Sequence, residues 1–341
     1  MPDTEKQKRL KNQGYRLIGK NAAVKLCHYT KKTIRGEYAC YKNKFYGISS
    51  ECCLQLAPCV GNCTHHCTFC WRSVDYSPLP PKQSETDSPD EIILSALFGQ
   101  QKLISGFGGS PELIDKEVYA RAKTVKHVAI SLAGEPTMYP NLGELIQKFH
   151  ERGISTFLVT NGMFPEVLNS LGSTNSLPTQ LYISVYGPDE KTYKEITRSA
   201  LKDSWQRLSS SLKILGSFKG KTRTAIRLTL VKGANMFSPE KYADLLRVAN
   251  PDYVECKGYV HVGGSMANLG AENMPSHSEI KEFALQLAKE MNYSYKDEAE
   301  ISRVVLLVRD PSKSTFIPGF EKNVCKKQPN PRGENLFETD L

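Results

Sequence analysis

The sequence predicts an α/β protein: a partial (β/α)6 barrel behind an N-terminal extension that carries cysteines. Three observations predict it. Short apolar runs alternate with amphipathic runs, the pattern of a parallel sheet covered by helices. Six such units can be counted, too few to close an eight-stranded barrel. Eight of the ten cysteines lie between residues 27 and 70, at and before the first unit.

The elements follow in order. Residues 5 to 50 are basic and tyrosine-rich and contain Cys27 and Cys40. "QLAPCVGN" reads as a short strand and turn leading into "NCTHHCTFCW". The next stretch, "DYSPLPPKQSETDSPD", is a polar, Pro-rich loop ending in a helix start. There Ser88 caps, Pro89 takes the first helical position and Glu91 completes a capping box, so "DEIILSALFGQQKLI" is a helix. "SPELIDKEVYARAK" reads as another, with Ser110 and Pro111 repeating the start signal.

Five further strands are expected: "HVAISL" (127–132), "STFLVT" (155–160), "QLYISVY" (180–186), "TAIRLTLV" (224–231) and "DYVECKGYVHV" (252–262). Helical patterns follow each: "NLGELIQKFHERG" closed by Gly153, "FPEVLNSL", then "DEKTYKEI" with "SWQRLSSSLKIL", "SPEKYADLLRVA" and "SEIKEFALQLAKEM". Ligands of such sheets collect at the C-terminal strand ends. The domain reading is an extension over 1–50, the barrel over 51–310 and a polar, poorly ordered tail over 311–341.

The chain has 341 residues, 40% hydrophobic and 24% charged, with a net charge of +9. No apolar run approaches the roughly 18 residues of a membrane helix. The N-terminus "MPDTEKQKRLKNQGYRL" has no apolar h-region. A soluble, cytoplasmic protein without membrane association is expected. Its positive charge suits an anionic partner, most commonly nucleic acid.

Clustered cysteines in such a chain point to metal rather than disulfides. Cys63, Cys67 and Cys70 sit at C-x3-C-x2-C on one tight loop. A structural zinc site usually takes four protein ligands, often from paired knuckles, and no matching knuckle is present. His65 and His66 keep a zinc reading open, although adjacent residues rarely both face one metal. A [4Fe–4S] cube on three cysteines leaves one iron open for a small-molecule chelate. Phe69 and Trp71 are placed to shield such a cluster from water.

The loop resembles that of the radical S-adenosylmethionine (SAM) superfamily, and downstream motifs strengthen the resemblance. Ala133-Gly134-Glu135-Pro136 is similar to the superfamily's G-G-E-P turn, with Ala in place of the first Gly. The resemblance implies that Ala133, Gly134 and Glu135 hold the methionine end of SAM. Small residues let backbone approach a ligand closely, and a carboxylate answers an ammonium. Asn161, in "VTNG", and Ser184, in "ISVYG", stand at later strand ends, where the superfamily contacts adenosine. The fold class is thus a partial (β/α)6 barrel of the radical SAM type.

Cys27, Cys40 and Cys53 are spaced thirteen apart, twice. With "CTHHCTFCWR", "AGEPTMYP" and "LYISVYGPDEKTYKEITR", they resemble the tRNA 4-demethylwyosine synthase family from about residue 20 to about residue 310. In that family three N-terminal cysteines hold a second [4Fe–4S] cluster. Cys52 rivals Cys53, and only the spacing and the family match choose between them. Cys52 and Cys59 are then surplus, and Cys256 and Cys325 read as buried or incidental rather than as ligands. Lys42 matches the lysine for which the family proposes a Schiff base with pyruvate; otherwise it is a surface lysine in "YKNK".

The resemblance implies a carbon–carbon lyase or synthase of wybutosine biosynthesis, with SAM and two [4Fe–4S] clusters as cofactors. It would condense N1-methylguanosine-37 of tRNA(Phe) with pyruvate to give 4-demethylwyosine. A SAM-derived radical takes hydrogen from the N1-methyl group, the carbon radical attacks the pyruvate carbonyl carbon, and the carboxyl carbon is lost. The flavodoxin-like domain of eukaryotic members is absent from these residues. That implies an external electron donor such as a flavodoxin or ferredoxin, and a monomer is expected. The methylated base would be flipped toward the barrel mouth. "KQKRLKNQGYR" and "YTKKTIRGEY" would meet phosphates, and Tyr15, Tyr29 and Tyr38 would stack on bases. The alternative is another two-cluster radical SAM enzyme acting on a different RNA or a protein. A zinc-containing RNA-binding module and a ferredoxin-like carrier are separated from both by iron count, about eight for two cubes, four for one and none for zinc.

Overall fold

The computed structural model describes residues 4–72 and 76–320. The chain divides into two compact units. The first takes the residues up to Gly61, Pro80–Phe157 and the segment from Thr315; the second takes Asn62–Leu79 and Leu158–Ser314.

The first unit opens with a helix, Glu5–Asn12, capped reciprocally by Thr4 and Gln7. An antiparallel pair follows, β1 (Tyr15–Ile18) and β2 (Ala22–Lys25). β2 runs antiparallel to β3 (Cys53–Ala57), and β3 runs parallel to β4 (His127–Ile130), with Cys53 opposite His127. Between β2 and β3 lie two short helices, His28–Ile34 and Tyr41–Tyr46. The second ends at Gly47 in the left-handed region, φ 75°. A side chain there would also press a Cβ to 2.7 Å from the Phe320 carbonyl, so both conformation and space call for glycine. Thr315 Oγ1 donates to the Phe45 carbonyl at 2.6 Å and Ile317 N to the Tyr46 carbonyl at 3.0 Å, tying the 315–320 segment onto this helix.

The chain passes to the second unit along β5 (Ser155–Thr160). There β6 (Gln180–Val185), β7 (Arg223–Leu230) and β8 (Tyr253–Gly258) are parallel neighbours. An antiparallel hairpin, β9 (Ser294–Ala299) and β10 (Val304–Val308), continues from β8 through β10. β3 to β8 are the six strands expected from the alternation of the sequence.

Helices follow the strands close to the expected limits: Pro89–Ser105, Leu142–Glu151, Pro165–Ser173, Glu190–Thr197, Ser204–Ser217, Pro239–Arg247 and His277–Met291. Ser88 and Glu91 form the anticipated capping box. Ser110 and Pro111 start only one 3-10 turn, Pro111–Leu113, and no α-helix. The helix there is Lys116–Ala122, because the Asp115 carboxylate accepts from Glu117 N and Val118 N, both at 3.1 Å, whereas Ser110 makes no cap. The eighth strand is shorter than expected and ends at Gly258. Its continuation becomes a 3-10 turn, Gly263–Ala267, entered through Gly263 at φ 56°.

Strand alternation sorts the second unit's core. Ile183 faces Leu208 of the helix Ser204–Ser217 across Gly162. Leu181, Ile183 and Val185 share that apolar face, while Gln180, Tyr182 and Ser184 share the other. Ser184 is in register with Arg227, and Arg227 with Glu255.

Candidate active site

The cysteine loop belongs to the second unit and is held by backbone. Cys63 N donates to the Ser77 carbonyl at 2.9 Å. His66 N and Thr68 N donate to the Thr197 and Ile196 carbonyls at 2.9 Å, and Ala200 N donates to the Thr64 carbonyl at 2.8 Å. The last turn of the helix Glu190–Thr197 therefore clasps the loop, using carbonyls that a helix end leaves unpaired. This explains why "KEITR" matters, a role not evident from its residue types. Arg198 follows in the left-handed region at φ 44°, and its guanidinium donates to Asn268 Oδ1 at 2.8 Å.

Side chains complete the loop. Asn161 Nδ2 reaches Thr64 Oγ1 at 3.3 Å and Cys63 Sγ at 3.9 Å, so the expected adenosine contact also braces the cysteine loop. Phe69 packs on Tyr186 with centroids 4.9 Å apart, and the Trp71 carbonyl accepts from Gly264 N at 2.8 Å. His65 is buried, its Nε2 3.4 Å from the Tyr193 hydroxyl, and burial, reinforced by His66, pushes its pKa down to about 3. The ring is neutral at neutral pH.

Burial and then the Cys70 and Cys63 sulfurs push the Cys67 thiol well above its ordinary range. Such a group of thiols gives up protons when a metal centre supplies the compensating positive charge. Among the described residues, no three His, Cys, Asp or Glu groups converge as ligands of a single metal ion. In a cube, by contrast, each cysteine takes a different iron, which suits three sulfurs spread along a loop. The loop also leaves His65 Nδ1 and Thr68 Oγ1 buried without partners, as a site shaped for a further group would.

The first unit gathers the other cysteines. Cys27 and Cys40 are the N-cap residues of His28–Ile34 and Tyr41–Tyr46, and Cys53 opens β3. Burial raises the Cys53 thiol, Cys27, Cys40 and the neighbouring Cys52 raise it further, and Lys42 opposes them. Burial likewise raises Cys27, against the helix N–H groups of Tyr29 and Thr30 and against Lys42. Cys27, Cys40 and Lys42 thus all act on the Cys53 thiol, and Lys42 acts on Cys27 as well. The Cys52 Sγ is engaged by the backbone: it donates to the Arg121 carbonyl at 3.4 Å, and burial with Glu51 pushes it up to about 12. Cys59 is buried and donates to the Glu135 carbonyl at 3.1 Å, and Cys256 is buried in β8. Cys325 and the tail from 321 lie outside the described residues.

Lys42 is no surface lysine. It is 9% exposed, and its Nζ lies 4.7 Å from the centroid of the Phe157 ring. Two aromatic expectations are corrected as well. Tyr15 and Tyr38 are 3% and 6% exposed, so neither offers a face to a base. Tyr15 is on the inward face of β1, and the Tyr38 hydroxyl meets His28 Nε2 at 3.1 Å. His127 is structural: Nδ1 meets Ser155 Oγ at 2.7 Å, Nε2 accepts from Ser49 N at 3.1 Å, and burial lowers its pKa to about 3.

In the first unit, Ala133, Gly134 and Glu135 form a turn after β4. Gly134 takes φ 71°, where a side chain would be strained. Glu135 is 3% exposed, and its Oε1 accepts from Thr137 N at 3.1 Å and Thr137 Oγ1 at 2.6 Å. In the second unit Ser184 is buried beside a polar network. Tyr182 donates to Glu255 Oε1 at 3.0 Å, Arg227 donates to Glu255 Oε2 at 2.8 and 3.1 Å, and Gln180 donates to the Tyr182 hydroxyl at 2.7 Å. The sequence pattern did not single out Arg227 and Glu255; the signal was a charge at matching positions of two strands expected to be buried.

A parallel βα series with a three-cysteine loop after its first strand and a glycine–glutamate turn after its second defines a radical SAM protein. The radical SAM superfamily model matches residues 58–246, and a wyosine base formation model matches 248–309. Membership implies SAM and a [4Fe–4S] cluster. The chain belongs to the tRNA 4-demethylwyosine synthase family. It is 45% identical to the SAM-dependent tRNA 4-demethylwyosine synthase of Pyrococcus abyssi over 301 residues, 88% of this chain and 87% of that one. It is 39% identical to the Xenopus laevis protein of that name, covering 90% of this chain and 41% of that longer one. A solved structure of TYW1 with a lysine–pyruvate adduct bound is 36% identical, with TM-score 0.82 over 93% of this chain and all of that one.

Proposed function

We propose that this protein condenses N1-methylguanosine-37 of tRNA(Phe) with pyruvate to form 4-demethylwyosine. The observation that supports this reading is that Cys27, Cys40 and Lys42, from separate elements of the first unit, all act on the Cys53 thiol, and that Lys42 is buried. Cys63, Cys67 and Cys70 hold the SAM-binding [4Fe–4S] cluster, which with SAM supplies a 5′-deoxyadenosyl radical for abstraction from the N1-methyl group. Cys27, Cys40 and Cys53, set in the extension over 1–50 and at the start of the barrel, hold a second cube. Three ligands leave it one open iron, suited to the carboxylate and carbonyl oxygens of a 2-oxo acid.

Lys42 binds pyruvate covalently: its amine takes the C2 carbon, the carbonyl oxygen leaves as water, and a cationic imine remains. The lysine–pyruvate adduct in the related structure supports this reading, as does burial of Lys42 away from water. Glu135 meets the methionine ammonium of SAM, Ala133 and Gly134 let backbone approach it, and Asn161 and Ser184 meet adenosine. The positive net charge of +9 suits tRNA. We infer an external flavodoxin or ferredoxin as electron donor, a monomer, and a cytoplasmic location. No helix among the described residues is long and apolar enough to cross a membrane.

The test is to incubate the reduced, reconstituted protein with SAM, pyruvate and N1-methylated tRNA, then analyse the digested nucleosides by mass spectrometry. The tricyclic nucleoside should appear only when all four are present. Unchanged N1-methylguanosine beside full 5′-deoxyadenosine formation would defeat the assignment.

A further inference from the structure

The second unit's cysteine loop carries buried polar atoms that the protein itself does not satisfy. Among the described residues, His65 Nδ1, Thr68 Oγ1 and Thr197 Oγ1 lack any hydrogen-bond partner. The first two lie between the cysteines of the C-x3-C-x2-C motif, and the third lies on the helix turn that clasps it. His65 and Thr68 are 3% and 8% exposed, so water does not serve them freely. Buried donors are nearly always paired in native proteins, and an orphan signals a missing acceptor.

The His65 ring is held in one orientation. Tyr186 and Tyr193 meet it edge-on, at centroid distances of 6.4 and 5.9 Å. Its backbone N–H already donates to Cys63 Sγ at 3.5 Å, so this part of the loop turns donors toward sulfur. The Tyr193 hydroxyl stands 3.4 Å from Nε2, so Nδ1 is the ring nitrogen that no protein group meets. Thr68 adds a buried hydroxyl in the same condition.

We propose that His65 Nδ1 and Thr68 Oγ1 donate hydrogen bonds to the sulfurs of the [4Fe–4S] cluster at Cys63, Cys67 and Cys70 and raise its reduction potential. The inference rests on the cluster assignment above. Reduction adds one electron from an external donor and takes the oxidised 2+ cube to 1+, with no bond broken and no proton moved. The added negative charge spreads over the sulfurs, where one N–H and one O–H donor stabilise the reduced form. Both residues are therefore tuning residues, set to make a difficult one-electron reduction easier.

The experiment is a redox titration of the anaerobically reconstituted full chain, poised with dithionite and followed by EPR. The signal that changes on adding SAM identifies the cluster concerned. His65→Leu and Thr68→Val each lower its midpoint. Together they lower the reduced-to-oxidised ratio at fixed potential about tenfold, equal to about 59 mV for one electron. His65→Gln restores an N–H donor and returns the midpoint toward the original. In metal-free protein Thr68→Val leaves Tm unchanged, because it removes a hydroxyl that had no partner, whereas His65→Leu also gives up the Tyr193 contact at Nε2. An unchanged midpoint at full iron content in both variants overturns the proposal, as does a Tm loss in metal-free protein without a midpoint shift. If His65→Leu does not fold, Thr68→Val alone decides. If the SAM-responsive signal survives replacement of all three loop cysteines by Ala, the cluster assignment itself fails and the inference with it.

Discussion

The two cysteine groups differ in how they are built. Cys63, Cys67 and Cys70 share one loop, clasped by main-chain bonds from residues 196–200 and by Asn161. Cys27, Cys40 and Cys53 sit on three separate elements, two helix N-caps and the first residue of a strand. The first group is contiguous in sequence, on one short loop that later residues hold in place. The second exists only when β2, both short helices and β3 are all in place. Ligand sets of the second kind depend on folding, so loss of local structure should empty them first.

Replacing one cysteine in each group tests that contrast most sharply. Cys67→Ala should abolish both 5′-deoxyadenosine and tricyclic product, while Cys53→Ala should abolish product alone and halve the iron, from about eight to four. Cys52→Ala should retain both clusters and activity. Iron analysis with product assays of the three variants decides; equal iron loss in Cys52→Ala and Cys53→Ala would erase the distinction drawn from their surroundings.

Lys42→Met tests what the second group is for. It should abolish tricyclic product yet leave SAM cleavage, and borohydride should no longer trap pyruvate on the protein. Breaking the second unit's buried pair is the next largest effect. Arg227→Met leaves Glu255, fully buried, with its charge unpaired, and should cost about 3–5 kcal/mol by chemical denaturation. Glu135→Gln should weaken SAM binding about tenfold or more, read by equilibrium dialysis, if Glu135 is the proposed charged partner of the methionine ammonium. Smallest is Asp115→Ala, which removes the cap of Lys116–Ala122 and should cost about 1 kcal/mol, visible in Tm but not in activity.

Much of the barrel was legible because its elements repeat a simple alternation. β5 was bounded at the expected residues, and the helices after each strand began near their Ser, Asp or Pro signals. The hairpin of β9 and β10 was not foreseen. β9, "SYKDEA", is an exposed polar edge with no alternation to read, and β10 is a run that only the fold shows to be fully buried. β1 and β2 were hidden in a basic stretch whose lysines snorkel over aromatic rings, as Lys25 does over Tyr15 at 5.2 Å. The Ser110 start failed because composition marks candidate caps, and backbone angles choose among them.

The sequence by itself determined the loop of Cys63, Cys67 and Cys70, the Ala133–Glu135 turn and the order of strands and helices. All are encoded within a few neighbouring residues, through spacing and turn chemistry. Only the tertiary structure decided that Cys27, Cys40 and Lys42 act on the Cys53 thiol, that Lys42 is buried against Phe157, and that Arg227 pairs with Glu255. Those facts depend on strand phase and on elements far apart in the chain, where one residue's shift turns a side chain to the opposite face.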